Sequence, residues 1–428
     1  MANQKNTSPW AWIPSLYLAQ GLPYVAVMVI SVIMYKRLEI SNTYIALYTS
    51  WLYLPWVIKP LWSPFVDILK TKRWWIFTMQ FLVGAGFAGI AFTVPAPFFF
   101  QATLAFFWLL AFSSATHDIA ADGFYMLGLD TNEQAKFVGI RSMFYRASMI
   151  LGQGALVVLA GYLERVTGKV QFAWSITFFV LAGLFVLFSL YHRFILPKPV
   201  VDAPNANLKA NEIFKEFGET FVTFFKKPQI LTALFFMLTF RLAEAQVVKL
   251  LNPFLLDSIE NGGLGLSTEA VGFVYGTMGI IGLTLGGILG GIAASRGGLK
   301  KWLWPMTLIM APTAIIYVFL SYNTQAVNLW IISGCVMVEQ FCYGFGFTAY
   351  MLYMMYFSQG PRKTAHYAIC TGFMALGMML PGMVAGWVQE QLGYSHFFIW
   401  VLICAIVPII AVSLLKVDPS YGQKKSQE

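Results

Sequence analysis

Residues 67–94 read DILKTKRWWIFTMQFLVGAGFAGIAFTV: a short segment carrying Lys70, Lys72 and Arg73, then 74–94 with no charge at all. A helix rises about 1.5 Å per residue, so the uncharged run reaches about 30 Å, the thickness of a bilayer's hydrocarbon core. A basic turn followed by an apolar crossing is the pattern of a cytoplasmic loop leading into a membrane helix. Similar runs recur along the whole chain. They place spans at 10–34, 43–66, 74–94, 98–128, 135–162 and 172–195, then at 229–256, 268–294, 302–321, 327–357, 364–388 and 395–416. The expected fold is an all-α polytopic membrane protein with 12 transmembrane helices.

Composition agrees. The 428 residues are 58% hydrophobic and 11% charged, whereas a soluble domain is about 25% charged. A soluble enzyme is excluded, as is a disordered chain. An outer-membrane barrel would alternate polar and apolar residues along each strand, and these runs do not. The +9 charge would suggest nucleic acid in a soluble protein. Here nineteen of the 28 basic residues fall in loops on one side of the membrane and four on the other. That asymmetry puts both termini in the cytoplasm and needs no nucleic acid. Cys335, Cys342, Cys370 and Cys404 all lie in apolar segments, without metal-ligand spacing, and read as core residues. Before the first span there is one lysine and no small-residue cleavage site, so that span is expected to stay as a helix.

The longest hydrophilic stretch divides the chain into 1–196, a linker 197–228, and 229–428. In the linker, Ile213, Phe214, Phe217, Phe221, Phe224 and Phe225 recur at helical spacing, which predicts an amphipathic helix on the membrane surface. The loop Asp67–Arg73 recurs about 228 residues later as Ser295-Arg-Gly-Gly-Leu-Lys-Lys301. Two pseudo-symmetric six-helix halves with basic turns after their second spans resemble a major facilitator transporter. Gly282, Gly286, Gly287, Gly290 and Gly291 in the eighth span predict close helix contacts.

Nine charges sit inside spans: Lys59, Arg141, Arg146, Arg241, Lys249, Asp118, Asp122, Glu244 and Glu339. Each costs about 2.5–3.5 kcal/mol at the bilayer centre by insertion scales, so each is expected to face a cavity or a partner. Two readings stay open. The set either ties helices together as ion pairs or binds an ionic substrate and a coupling proton. Asp118 and Asp122, four apart, share a helix face, where two carboxylates resist ionising together. Neighbouring His117 points about 100° away from Asp118. Arg241, Glu244, Lys249 and Asn252 fall within about 140° of one another, just before Pro253. There Glu244 is placed to neutralise Arg241, leaving Lys249 for an anionic ligand. Glu339, Tyr343, Gly346, Tyr350 and Tyr353 form one stripe, readable either as packing or as a surface for sugar rings. Arg141 and Arg146 lie about 140° apart, so one is expected to answer Asp118 or Asp122. No Walker loop, HExxH or GxSxG is present, and no cofactor, metal or catalytic role is expected.

Several stretches together resemble AmpG-type muropeptide permeases, within the peptide/acetyl-coenzyme A/drug transporter family of the major facilitator superfamily. They are Gln20-Gly-Leu-Pro-Tyr24, Lys59-Pro-Leu-Trp-Ser-Pro-Phe-Val-Asp67, and Ser114-Ala-Thr-His-Asp-Ile-Ala-Ala-Asp122, similar to the family's SxQDIAxD. Phe240-Arg-Leu-Ala-Glu244 with Asn252-Pro-Phe-Leu255 is similar to its YKxxD…PFL element, and Glu339–Ala349 with Thr364-Ala-His-Tyr-Ala368 to its last motifs. Tyr125 stands where the family usually has an arginine, and Arg241 and Glu244 replace a lysine and an aspartate. The chain ends after twelve spans, where some relatives carry two more.

The resemblance implies proton-driven import of cell-wall fragments across the bacterial inner membrane; separately, the protein is expected to work as a monomer. On that reading, proton coupling is expected of Asp118, Asp122, Glu244 and Glu339. Substrate contacts fall to Arg146, Arg241, Lys249, Asn252, Tyr343 and Tyr350, and ion pairing or gating to Lys59, Asp67, Arg73, Arg141 and His117. The alternatives are transport of another anionic solute (acetyl-coenzyme A, a peptide or a siderophore) or a non-transporting membrane receptor.

Overall fold

A computed structural model describes residues 7–199, 202 and 210–422. Every regular element among them is helical. In chain order they are α1 Ile13–Val25, α2 Ser31–Arg37, α3 Asn42–Trp51, α4 Leu54–Leu69, α5 Lys72–Thr93, α6 Phe99–Gly128, α7 Thr131–Met149, α8 Val157–Thr167 and α9 Val170–Ile195. There follow α10 Ala210–Phe225, α11 Ile230–Thr239, α12 Leu242–Leu256, α13 Thr268–Phe273, α14 Ile280–Met310, α15 Ala314–Tyr322, α16 Leu329–Phe357, α17 Lys363–Cys404 and α18 Ile406–Ser413. Wider π-helical turns join α1 to α2, α7 to α8 and α13 to α14. Polar residues start several helices where the sequence leaves the membrane run. Ser41 and Thr71 accept from the N–H three residues on, and Asp130 with Glu133 closes a capping box at α7.

Among the described residues, nine helical stretches are long and apolar enough to cross a membrane. Two of them, Thr268–Tyr322 and Ala365–Ser413, are 55 and 49 residues long, enough for two crossings each. Each is bent at a glycine with positive φ, Gly298 (73°) and Gly393 (70°), a backbone conformation that a side chain would strain. Helices α3 and α4, interrupted at Leu52 and Tyr53, make one more crossing. Counted in this way, the described residues make twelve crossings of a polytopic α-helical membrane protein.

The chain forms two compact units. The first draws on Met1–Leu38 and Ile58–Phe214, the second on Glu39–Val57 and Lys215–Glu428. Packing thus groups α3 with the second unit, although its sequence lies in the first half. The reason is local: α3 runs along α17, where a Cβ on Gly386 would stand 2.0 Å from the Asn42 carbonyl oxygen. The boundary at Phe214 falls inside the 197–228 interval.

In the first unit, Trp12, Ile13, Leu16, Ile76, Ala120 and Phe124 are buried together where α1, α5 and α6 meet. In the second, α14 and α16 are packed backbone to backbone. A Cβ on Gly282 would lie 2.2 Å from the Met337 carbonyl oxygen, and one on Gly286 2.0 Å from that of Phe341. Gly291, also expected in this contact, has nothing within 4 Å of a Cβ and faces away. Helix α10 is docked on protein at its C-terminal end. Phe224 is fully buried and stacks on Phe373, and Arg362 binds Glu219 at 2.8 Å. The membrane-surface expectation therefore changes for Phe224, whose apolar face the bundle covers. The side chains of Ile213, Phe214 and Phe217 lie outside the described residues.

Candidate functional site

In the first unit each membrane carboxylate meets its own cation. Lys59 on α4 lies 3.7 Å from Asp118, and Arg141 on α7 lies 2.7 Å from Asp122. The two acids that share a helix face are thus each paired with a cation from a different helix. Arg141 also lies over the rings of Tyr17 (4.6 Å) and Tyr125 (5.3 Å). The ring at 125, where an arginine was expected, thus lies under a guanidinium carried by another helix. Arg146 is exposed on α7.

His117 points into protein. Its Nε2 is 3.0 Å from Gln80 Nε2, Gln80 Oε1 is 2.9 Å from His192 Nδ1, and His192 Nε2 is 2.9 Å from Ser15 Oγ. This buried chain ties α6, α5, α9 and α1 through neutral hydrogen bonds, so His117 serves packing and not an ion pair. Arg73 is likewise structural. Its side chain donates to the Leu196 and Arg193 carbonyl oxygens at the end of α9, and its N–H donates to Asp202. A cation there complements the helix's negative end. The side chain of Asp67 lies outside the described residues.

The second unit holds a different arrangement. The chain breaks helix at Arg241, between α11 and α12, and this places its guanidinium against Glu244 in a fork. Nε donates to Oε2 at 2.7 Å and Nη2 to Oε1 at 3.0 Å. Nη2 also donates to the Tyr343 hydroxyl at 2.8 Å, and Phe347 lies under the guanidinium at 5.1 Å. A planar fork on a carboxylate is the geometry that arginine makes and lysine cannot. Arg241 is therefore already neutralised within this unit.

Lys249, two turns further along α12, is not. It is 2% exposed; its ammonium donates to Thr49 Oγ1 at 2.9 Å and lies 5.2 Å from the Tyr53 ring centroid. No carboxylate pairs with it among the described residues. Asn252, one turn on, is 1% exposed, and its Oδ1 has no hydrogen-bond partner there. Glu339 on α16 is the matching case of opposite sign. It is 2% exposed, accepts from the Tyr317 hydroxyl and from Gln340 Nε2, both at 2.8 Å, and has no cation partner among the described residues.

The tyrosine stripe divides. Tyr343 binds Arg241, whereas Tyr350 is fully buried. Its ring stacks on Phe240 at 4.8 Å and its hydroxyl donates to the Met237 carbonyl oxygen. With face and hydroxyl both used inside the core, Tyr350 has nothing left for a sugar, and packing is the reading it fits. Sequence reasoning missed Thr49, Ser50, Tyr53, Tyr317 and Gln340. All are ordinary polar or aromatic residues in apolar runs, with no local signal to single them out.

Comparison with known proteins agrees with this architecture. The chain is 24% identical over 372 residues to the Anhydromuropeptide permease of Escherichia coli (strain K12), covering 86% of this chain and 71% of that one. It is 24% identical over 415 residues, and 94% of each chain, to a protein of Rickettsia conorii named Putative transporter AmpG 4. A D-xylose-proton symporter structure superposes with a TM-score of 0.72 at 13% identity, over 97% of this chain and 98% of that one. The nucleoside transporter NupG superposes with a TM-score of 0.68 at 17% identity, over 94% and 96%. At such identities the structures establish the fold alone. The model of the Major Facilitator Superfamily matches residues 15–366, so the chain belongs to that superfamily of membrane transporters, and its sequence similarity within it runs to AmpG-type permeases.

Proposed function

We propose that the protein imports muropeptides (GlcNAc-anhydroMurNAc peptides) across the bacterial inner membrane, coupled to protons, by alternating access. One observation carries the reading: Lys249 is a buried ammonium with a hydroxyl and an aromatic ring as its partners and no carboxylate among the described residues. Burying a charge unpaired is costly, so such a lysine is best explained by an anion that arrives with the cargo. The similarity to the E. coli Anhydromuropeptide permease suggests which anion, a sugar-linked peptide with carboxylates. Asn252 and Tyr343 line the same unit and supply further polar contacts, with Arg241 held by Glu244 and Arg146 on α7 as secondary candidates.

For the proton, Glu339 is the favoured carrier, since its carboxyl is buried among neutral donors. Asp118, Asp122 and Glu244 each hold a cation and fit gating, with Lys59 and Arg141 as the cations released when the transporter changes state. Both termini face the cytoplasm, as the basic loops require, and a monomer suffices. The test is uptake into proteoliposomes. Labelled anhydromuropeptide enters when an inward proton gradient is imposed and stops when an uncoupler collapses it, while labelled acetyl-coenzyme A does not enter. Inertness toward the muropeptide, or uptake indifferent to the gradient, would remove the cargo or the coupling respectively.

A further inference from the structure

We infer that Lys249, Ser50 and Asn252 form a receptor for one chemical group, the acylamino-acid end of a peptide: a carboxylate with the N–H of the adjacent amide. The inference rests on the transporter reading above, which leaves open which part of the cargo is recognised. All three side chains belong to the second unit, from α3 and α12. Each is nearly inaccessible, at 2%, 0% and 1% exposure. Ser50 Oγ and Asn252 Oδ1 have no hydrogen-bond partner among the described residues. Buried polar atoms are rarely left so, because each costs about 1–3 kcal/mol.

The hydrogen-bond inventory selects the ligand. Lys249 gives one of its three N–H donors to Thr49, which leaves two for acceptor oxygens. The Ser50 hydroxyl adds a donor. Ser50 Oγ and Lys249 Cε lie 2.8 Å and 3.5 Å from the point where a Cβ of Gly382 would stand, so the two groups converge on one glycine of α17, where any side chain would collide with Ser50. Asn252 Oδ1 has the opposite need: it accepts, and must meet an N–H or O–H. Pro253 has no N–H to return to the Lys249 carbonyl one turn back. An inorganic anion that carries no proton, such as sulfate, satisfies the donors and leaves Asn252 empty. An amine would be repelled by Lys249. A carboxylate with an amide N–H beside it satisfies both sets.

The experiment uses the full chain in nanodiscs, with acetyl-alanyl-alanine and its C-terminal amide as probes, and reads binding by calorimetry. The free acid is expected to bind at least about tenfold more tightly than the amide, since a charge-assisted hydrogen bond is lost. Lys249→Met should abolish that preference, and Ser50→Ala should weaken the acid by about fivefold while leaving the amide unchanged. Thermal melting of each variant confirms that it is folded. Equal binding of acid and amide, no acid binding at about 5 mM, or an undiminished preference in folded Lys249→Met would overturn the inference. Preference for the acid without anhydromuropeptide uptake would leave this receptor standing and sink the cargo reading. Uptake with no such preference would do the reverse.

Discussion

Lys249 and Thr49 are 200 residues apart in the chain and 2.9 Å apart in space, joined by a buried hydrogen bond. The bond exists because α3 packs with α12 and α17 in one unit. Thr49 is the one side chain among the described residues to which the lysine donates a hydrogen bond. Thr49→Val keeps the shape and removes the acceptor, so it should destabilise the protein by about 1–3 kcal/mol. Lys249→Met removes the buried charge altogether and should leave stability equal or raised, while uptake falls by more than about tenfold. Detergent melting curves and proteoliposome uptake together check both halves. A Lys249→Met protein that transports normally would show that the charge has no part in cargo recognition.

Arg241 and Glu244 form the other closely held pair, through two parallel hydrogen bonds. Glu244→Gln leaves a buried guanidinium facing a neutral amide and should cost about 3–5 kcal/mol. Replacing both partners, as Arg241→Met with Glu244→Leu, should recover most of that loss, because the uncompensated charge is gone. A double variant as unstable as the single would mean that Arg241 is held chiefly by Tyr343 and Phe347.

The contrast between these two pairs shows what a single sequence reveals. Arg241 and Glu244 are three apart in sequence, a spacing that made their pairing readable beforehand, although Arg241 itself stands at the break just before α12. The twelve crossings were readable too, since the bilayer sets a length that an apolar run must match. Thr49 and Ser50 carried no such signal: their importance comes from α3 joining the second unit, a long-range event that no periodicity records. Tyr350 failed in the other direction. Its stripe position was visible, but whether a ring faces a cavity or Phe240 depends on packing across helices. The Asp118–Asp122 spacing was correct as geometry, yet Lys59 and Arg141 arrive from other helices and give each acid its own partner.

Helix contact through glycine makes a sharp prediction in α14. Gly286→Ala puts a methyl group 2.0 Å from the Phe341 carbonyl oxygen, a backbone atom that cannot move aside alone. The helices must separate, at a cost of about 1–3 kcal/mol. Gly291→Ala, with open space around it, should change stability by less than about 0.5 kcal/mol. Equal melting temperatures for the two variants would mean that α14 and α16 are not in backbone contact.

The docking of α10 should depend on pH in a defined direction. A hydrogen bond from Arg362 holds the Glu219 carboxyl below its ordinary value. A depressed folded-state value means the pair's stabilisation is present above the unfolded value, about 4.3 for glutamate, and is lost as pH falls through the folded one. The protection of α10 amides, read by mass spectrometry as the exchange rate relative to the intrinsic rate at each pH, should therefore fall on acidification below about pH 4, and Glu219→Gln should remove that pH-dependent loss. Because both side chains are accessible to water, the effect should also shrink in high salt.

If Glu339 carries the proton as proposed, its replacement should separate coupling from transport. Its carboxylate accepts from Tyr317 and Gln340, and a glutamine in its place keeps an acceptor oxygen for the tyrosine while losing the ability to bind and release a proton. Glu339→Gln should therefore fold normally. It should still exchange labelled for unlabelled cargo across the membrane, since exchange needs no net proton movement, but it should no longer accumulate cargo against a gradient when a pH difference is imposed. Asp118→Asn and Asp122→Asn should behave differently: each strands a cation, Lys59 or Arg141, so exchange and accumulation should fall together. If Glu339→Gln accumulates cargo as well as the unaltered protein does, and either aspartate variant keeps exchange while losing accumulation, the proton rides on the aspartates of the first unit instead.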